Sequence, residues 1–173
     1  MAKEKTNISK IDASELALND RLIYINRVTK VLKGGKRLAF AALVVTGDGE
    51  GHVGIGTGKS SEVPDAINKA NAVARKHLVK VELDGTTIPY EVRAQFGGAD
   101  VLLKPAAKGT GIIAGGSIRA VVETCGIKDI LTKSMGSANK TNVAKATMIA
   151  LASLKNPKAE VAKRKAAPKA EEE

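Results

Sequence analysis

Within residues 21–60, three runs rich in β-branched and apolar residues, RLIYINRVTKVL, RLAFAALVV and HVGIGTG, are separated by KGGK and TGDGEG. That punctuation constrains the fold more than any other feature. Such runs read as strands, and glycine supplies the backbone freedom a reversing chain requires. Asp48 followed by Gly49 is a hairpin signal. Three antiparallel strands follow, and the glycines of the third mark close approach by another backbone.

A helix comes next. Ser60 or Ser61 stands where a cap belongs, and the following segment puts Val63, Ala66, Ile67, Ala70, Ala74 and Leu78 on one stripe at three- and four-residue spacing. Pro64 suits only the first turn. Three strands crossed by one helix make a lobe over residues 21–83. A second lobe, residues 84–156, opens with a hairpin turning at Gly97 and Gly98. It continues with a helix in GSIRAVVETC ended by Gly126, a short strand around IKDILTK, and a helix in TNVAKATMIALASL before Pro157. The class is α+β. Residues 1–20 read as a weakly ordered arm with a helical turn near DASELAL. Residues 157–173, mostly Ala, Lys, Glu and Pro, read as a disordered charged tail.

Twenty-eight Lys and Arg against 18 Asp and Glu leave a net charge of +10 on 173 residues, which favours a polyanionic partner. Residues 21–83 hold eleven bases and five acids, and residues 84–156 hold nine and five. The surplus therefore sits on folded elements, where it can match the fixed spacing of phosphates. Only Tyr24, Phe40, Tyr90 and Phe96 are aromatic, which argues against stacking unpaired bases on rows of rings and leaves folded RNA open. The single Cys125 excludes an intramolecular disulfide and a multi-cysteine metal site. The start of the chain lacks the apolar stretch of a secretory signal, and no window approaches the ~20 apolar residues of a membrane helix. A cytosolic protein without membrane partner, metal or cofactor is expected.

The charge is densest around one bend. Residues 21–47 carry Arg21, Arg27, Lys30, Lys33, Lys36 and Arg37 and no acid. Gly34 and Gly35 lie at the centre, where the absence of a Cβ lets the main chain come close to a phosphate backbone.

Three glycine motifs invite an enzyme reading. Gly58, Lys59 and Ser60 end like a phosphate-binding loop, but that pattern needs a glycine where Val53 stands. Lys59 at a helix start remains a candidate for an RNA phosphate. Gly49, Gly51 and Gly54 have dinucleotide-fold spacing but lie between two strands. Gly109, Gly111 and Ala114 precede a helix, and Asp129 lies twenty residues beyond Gly109; Pro105 and Lys108 lengthen the loop, which reads as a phosphate-approaching or protein-contacting element. Cys125, His52 and His77 form no recognisable thiol catalyst, and no acid pair is positioned for proton transfer.

The stretches NRVTKVLKGGKRLAFAALVVTGDGEGHVGIGTGKSSEVPDAINKA and KPAAKGTGIIAGGSIRAVVETCGIKDILTKSMGSANKTNVAKAT, in order across about residues 20–155, resemble the bacterial form of the fifth small-subunit ribosomal protein family. The resemblance implies a first lobe similar to a double-stranded-RNA-binding domain and a second β/α lobe with a left-handed βαβ crossover. It implies a structural, non-catalytic protein that binds small-subunit ribosomal RNA where head meets body, touches the fourth and eighth small-subunit proteins, and affects decoding accuracy. By motif it assigns RNA contact to Arg27, Lys30, Lys33, Gly34, Gly35, Lys36 and Arg37, near the spectinomycin site. Lys59, Lys108 and Gly109 are further RNA candidates. Gly111 and Arg119 fall at the accuracy-linked protein boundary, and Arg21 and Arg27 are candidates for the messenger path.

Overall fold

The computed structural model describes residues 16–166. The chain divides into two compact units, one running to residue 80 and including 120–126, the other formed by residues 81–119 and those from 127 onward. The boundary thus falls three residues before the one expected from sequence, and a short piece of the second segment belongs with the first. Most of the expected N-terminal arm and its helical turn lies outside the described residues.

In the first unit β1 (Asn19–Leu32), β2 (Gly35–Gly47) and β3 (His52–Ser60) form the expected antiparallel sheet. A fourth strand, β4 (Leu78–Lys80), pairs with His52, Val53 and Gly54 at its edge. Leu78 satisfies both a helical and a strand pattern, which hid this strand. Helix α1 (Val63–Lys76) ends before Leu78, and Leu78 is buried from the sheet instead. The expected serine cap is also displaced. Ser60 still pairs with Phe40 in β3, and the helix begins from Glu62 without a side-chain cap. Pro64 occupies the first turn, where its missing N–H breaks no helical bond.

Small residues hold α1 against the sheet. Ala66, Ala70 and Ala74 are fully buried, and Gly58, Gly56 and Gly54 face them from alternate positions of β3. A Cβ on Gly54 would lie 2.5 Å from the Ala74 carbonyl oxygen; Cβ atoms on Gly56 and Gly58 would press still harder on the carbonyls of Ala70 and Ala66. Helix backbone therefore rests on strand backbone, and Ala42 and Val44, flanked by Phe40 and Ile67, close the core beside it.

The second unit carries β5 (Val92–Phe96), β6 (Ala99–Pro105), β7 (Ile112–Ile113) and β8 (Ile130–Gly136) in the order β5-β6-β8-β7. The first three are antiparallel, whereas β7 runs parallel to β8. Parallel neighbours require a crossover, and α2 (Gly116–Cys125) lies in that connection. Helix α3 (Lys140–Ala152) packs on β5 and β6, starting from Asn139, whose side chain accepts the Thr141 N–H at 3.1 Å. Tyr90 holds its far end, its hydroxyl accepting the Lys155 N–H at 2.9 Å. The tail expected to be disordered begins instead with helix α4 (Pro157–Ala166), because its Ala- and Lys-rich composition has high helical propensity even with little to bury.

Residues 120–126 join the first unit through the loop between β2 and β3. Gly49 and Gly51 donate their N–H groups to the carbonyls of Thr124 and Cys125, at 3.1 and 3.0 Å. These are last-turn carbonyls with no partner inside the helix, so the loop caps α2. Gly126 leaves the helix at φ 94, as the sequence indicated.

Candidate nucleic-acid interface

Strands β1 and β2 continue beyond the last pair of β3. The final β2–β3 pair is Phe40 with Ser60, while β1–β2 pairing runs on through Ala39, Leu38, Arg37, Lys36 and Gly35. A two-stranded ribbon of about 16 Å thus projects from the sheet. Lys33 and Gly34 turn its end, with Gly34 at φ 88, a conformation that favours glycine.

Pairing register assigns the charges to faces, because opposed residues share a face and successive residues alternate. Arg27 opposes Phe40, and Lys36 opposes Val31; with Ala42 and Val44 these belong to the face that carries α1. Lys30 opposes Arg37 on the other face. Lys59, opposite Ala41, shares that second face, about 13 Å back along β2. Both faces of the ribbon are therefore basic. Residues 30–38 are all exposed. Arg27, Lys30, Lys33, Lys36 and Arg37 have no ion-pair partner among the described residues, whereas Arg75 pairs with Asp20, Arg93 with Asp100 and Lys104 with Glu91. Sequence reading missed the aliphatic component: Val31, Leu38 and Leu32 are 73%, 51% and 48% exposed beside these cations.

Arg21 lies at the other end of β1, opposite Val45, and its guanidinium is paired with Glu123 of α2. Of the two messenger-path candidates, Arg27 is the one on the ribbon side. Glu123 lies a hundred residues away in sequence and carried no signal.

Lys108, Gly109, Gly111 and Arg119 belong to the second unit. Gly109 and Gly111, at φ 93 and 77, donate their N–H groups to Asp129 Oδ1 at 3.0 and 2.9 Å. The twenty-residue spacing therefore has a meaning different from nucleotide binding: Asp129 occupies the donors a phosphate would need. Arg119 Nη2 donates to the Ile112 carbonyl at 2.8 Å, so both ends of the loop are tied. Lys108 and Thr110 stay exposed between them.

The Gly111 N–H and the Thr86 hydroxyl, with burial opposing, and then the Gly109 N–H and the Lys108 charge hold the Asp129 carboxyl below the usual carboxylate range. A group depressed in the folded state adds stability that is present above its unfolded value, ~3.9, and lost as pH falls through the folded one. Protection of the Gly109 and Gly111 amides, taken as their exchange relative to unstructured amides at the same pH, should fall on acidification below about pH 4, and Asp129→Asn should lack that acid limb. An identical acid limb in the variant would contradict the assignment.

The enzyme-like motifs dissolve in the fold. Gly58, Lys59 and Ser60 are strand residues, with no loop to wrap a phosphate. His52 Nδ1, at the start of β3, meets Asp48 of the preceding loop, and His77 Nδ1 meets the Val73 carbonyl at 2.8 Å. Burial, with the nearby Asp48 charge, pushes the Cys125 thiol up to about 12, far from a nucleophile's range. Cys125 is expected to resist alkylation at pH 8 in the native chain and to react only after denaturation; labelling of native protein at the rate of a free thiol would contradict its burial. Among the described residues no group of three or more His, Cys, Asp or Glu is arranged to hold a metal ion. No helix among them is long and apolar enough to cross a membrane.

Comparison with known proteins agrees with this geometry. The family model for Ribosomal protein S5, N-terminal domain, matches residues 18–82, and that for Ribosomal protein S5, C-terminal domain, matches residues 94–165. Curated relatives from two strains of Dehalococcoides mccartyi, both described as Small ribosomal subunit protein uS5, are 63% identical over 164 residues, covering 95% of each chain. A sheet with a projecting basic ribbon, a β/α unit behind a tied glycine loop, and matches across both units lead to one assignment: the chain belongs to the S5 family of small-subunit ribosomal proteins.

Proposed function

We propose that the protein is a structural RNA-binding component of the small ribosomal subunit in the cytoplasm, and that the ribbon end is its principal contact with ribosomal RNA. The observation that carries this reading is the set of five exposed cations: Arg27 and Lys36 on one face of the ribbon, Lys30 and Arg37 on the other, and Lys33 at its turn. Unpaired cations facing water displace condensed counterions from a phosphate backbone. Gly34 and Gly35 let the main chain approach closely, and Lys59 extends the contact along one face.

In the second unit Lys108 and Gly109 form a further RNA contact. Because the Gly109 N–H is held by Asp129, this loop meets RNA through Lys108 and its outward backbone. Gly111 and Arg119 lie at a boundary with the fourth small-subunit protein, through which the chain influences decoding accuracy; the eighth protein is a second neighbour. The chain stabilises the head of the subunit relative to its body and performs no catalysis. Arg27 also serves the incoming messenger path, and Arg21 joins it by exchanging Glu123 for a phosphate.

Titrating the full chain with small-subunit ribosomal RNA at several salt concentrations tests the reading. The five ribbon contacts alone predict a fall in log K with log[salt] of about 4 to 5, and Lys59 and Lys108 would steepen it by up to about 2. Binding without salt dependence, or no binding under conditions where the protein is folded, would overturn it.

A further inference from the structure

We infer that Asp129 is a positioning residue for the second contact: it sets the glycine loop around residues 107–112 in its docking shape before any partner arrives. This rests on the proposal that Lys108 and its neighbours form that contact.

The loop contains the residue type that loses most conformational freedom on ordering. Two of its glycines adopt positive φ, and a carboxylate only 4% exposed aims one oxygen at both of their N–H groups. Asp129 is fixed in turn. Its own N–H and that of Lys128 donate to the Thr86 carbonyl at 3.0 and 2.9 Å, and the Thr86 side chain bonds to its carboxylate. On the far side Ile130 N–H donates to the Gly111 carbonyl at 3.1 Å, and Arg119 holds Ile112. Inside the loop the Thr110 hydroxyl donates to the Ala107 carbonyl at 2.7 Å. The backbone is consequently secured from within, while Lys108 stays exposed to a partner. A contact surface ordered in advance avoids an entropy loss on binding.

Both loop amides use the same oxygen, Oδ1. Asparagine can therefore reproduce these bonds, and alanine cannot. The test uses the full chain, free and assembled into small subunits reconstituted without the native copy. In the free wild-type protein the Gly109 and Gly111 amides should exchange about 100-fold slower than unprotected amides, and change less than about threefold on assembly. Asp129→Ala should exchange freely there and lose about tenfold in competition with wild type for assembly, whereas Asp129→Asn should stay within about threefold on both measures. Amides that gain protection only in the subunit would overturn the inference, and this wild-type measurement decides even if Asp129→Ala fails to fold. Asp129→Ala competing equally, while Lys108→Glu competes poorly, would overturn the positioning role alone. Equal competition by Lys108→Glu would overturn the second contact itself, and the inference with it.

Discussion

Alanine at position 56 is expected to destabilise the first unit by about 3 kcal/mol or more, and to lower its melting temperature by roughly 12 °C or more. Gly56 is fully enclosed where β3 meets α1, and its added Cβ would press on the Ala70 carbonyl and lie 2.5 Å from the Ala74 N–H nitrogen. Flexible side chains can rotate away from an added methyl; backbone on both sides cannot. Relief requires α1 to lift from the sheet, separating Ala66 and Ala74 from Gly58 and Gly54 as well. Thr57→Ala, one residue on and exposed on the other face, should cost under about 1 kcal/mol. Calorimetry of both variants decides the matter, and a Gly56→Ala protein melting like wild type would show that the close approach does not hold the unit together.

The largest functional effect is expected from Lys33→Glu combined with Lys36→Glu. Each lost phosphate contact removes about 0.9 from the slope of log K against log[salt], so the double variant should fall short of wild type by about 1.8. At 0.15 M salt the same two contacts correspond to about 30-fold in affinity, and reversing rather than removing the charges adds to the loss. Neither lysine has an ion-pair partner among the described residues, so a folding defect should be small. A slope equal to that of wild type would remove the turn from the RNA contact.

Much of this was legible before the structure was known. The two hairpins, α1, α2, α3 and the glycine turn at Gly97 and Gly98 follow from period and punctuation, because each is set by residues near one another in the chain. The dense basic bend was legible for the same reason. Features depending on distant partners were not. Nothing near Arg21 announces Glu123, and Leu78 fitted two periods until β3 offered an edge. The spacing from Gly109 to Asp129 was visible, but its chemistry was not: whether an acid meets a sugar hydroxyl or the loop's own amides depends on where the chain brings it. The alternating glycines of β3 signalled a close neighbour, and only the fold identified it as the alanine stripe of α1. Pairing register added what composition could not, the division of Arg27, Lys30, Lys36 and Arg37 between two faces.

Lysine acetylation of intact small subunits, repeated after ribonuclease treatment and with the free chain, tests the central claim most directly. The account predicts that Lys30, Lys33 and Lys36 react readily in the free chain, are protected in the intact particle, and regain reactivity once the RNA is digested. If all three react as fast in the intact particle as in the free chain, the ribbon does not lie against ribosomal RNA and the account is wrong.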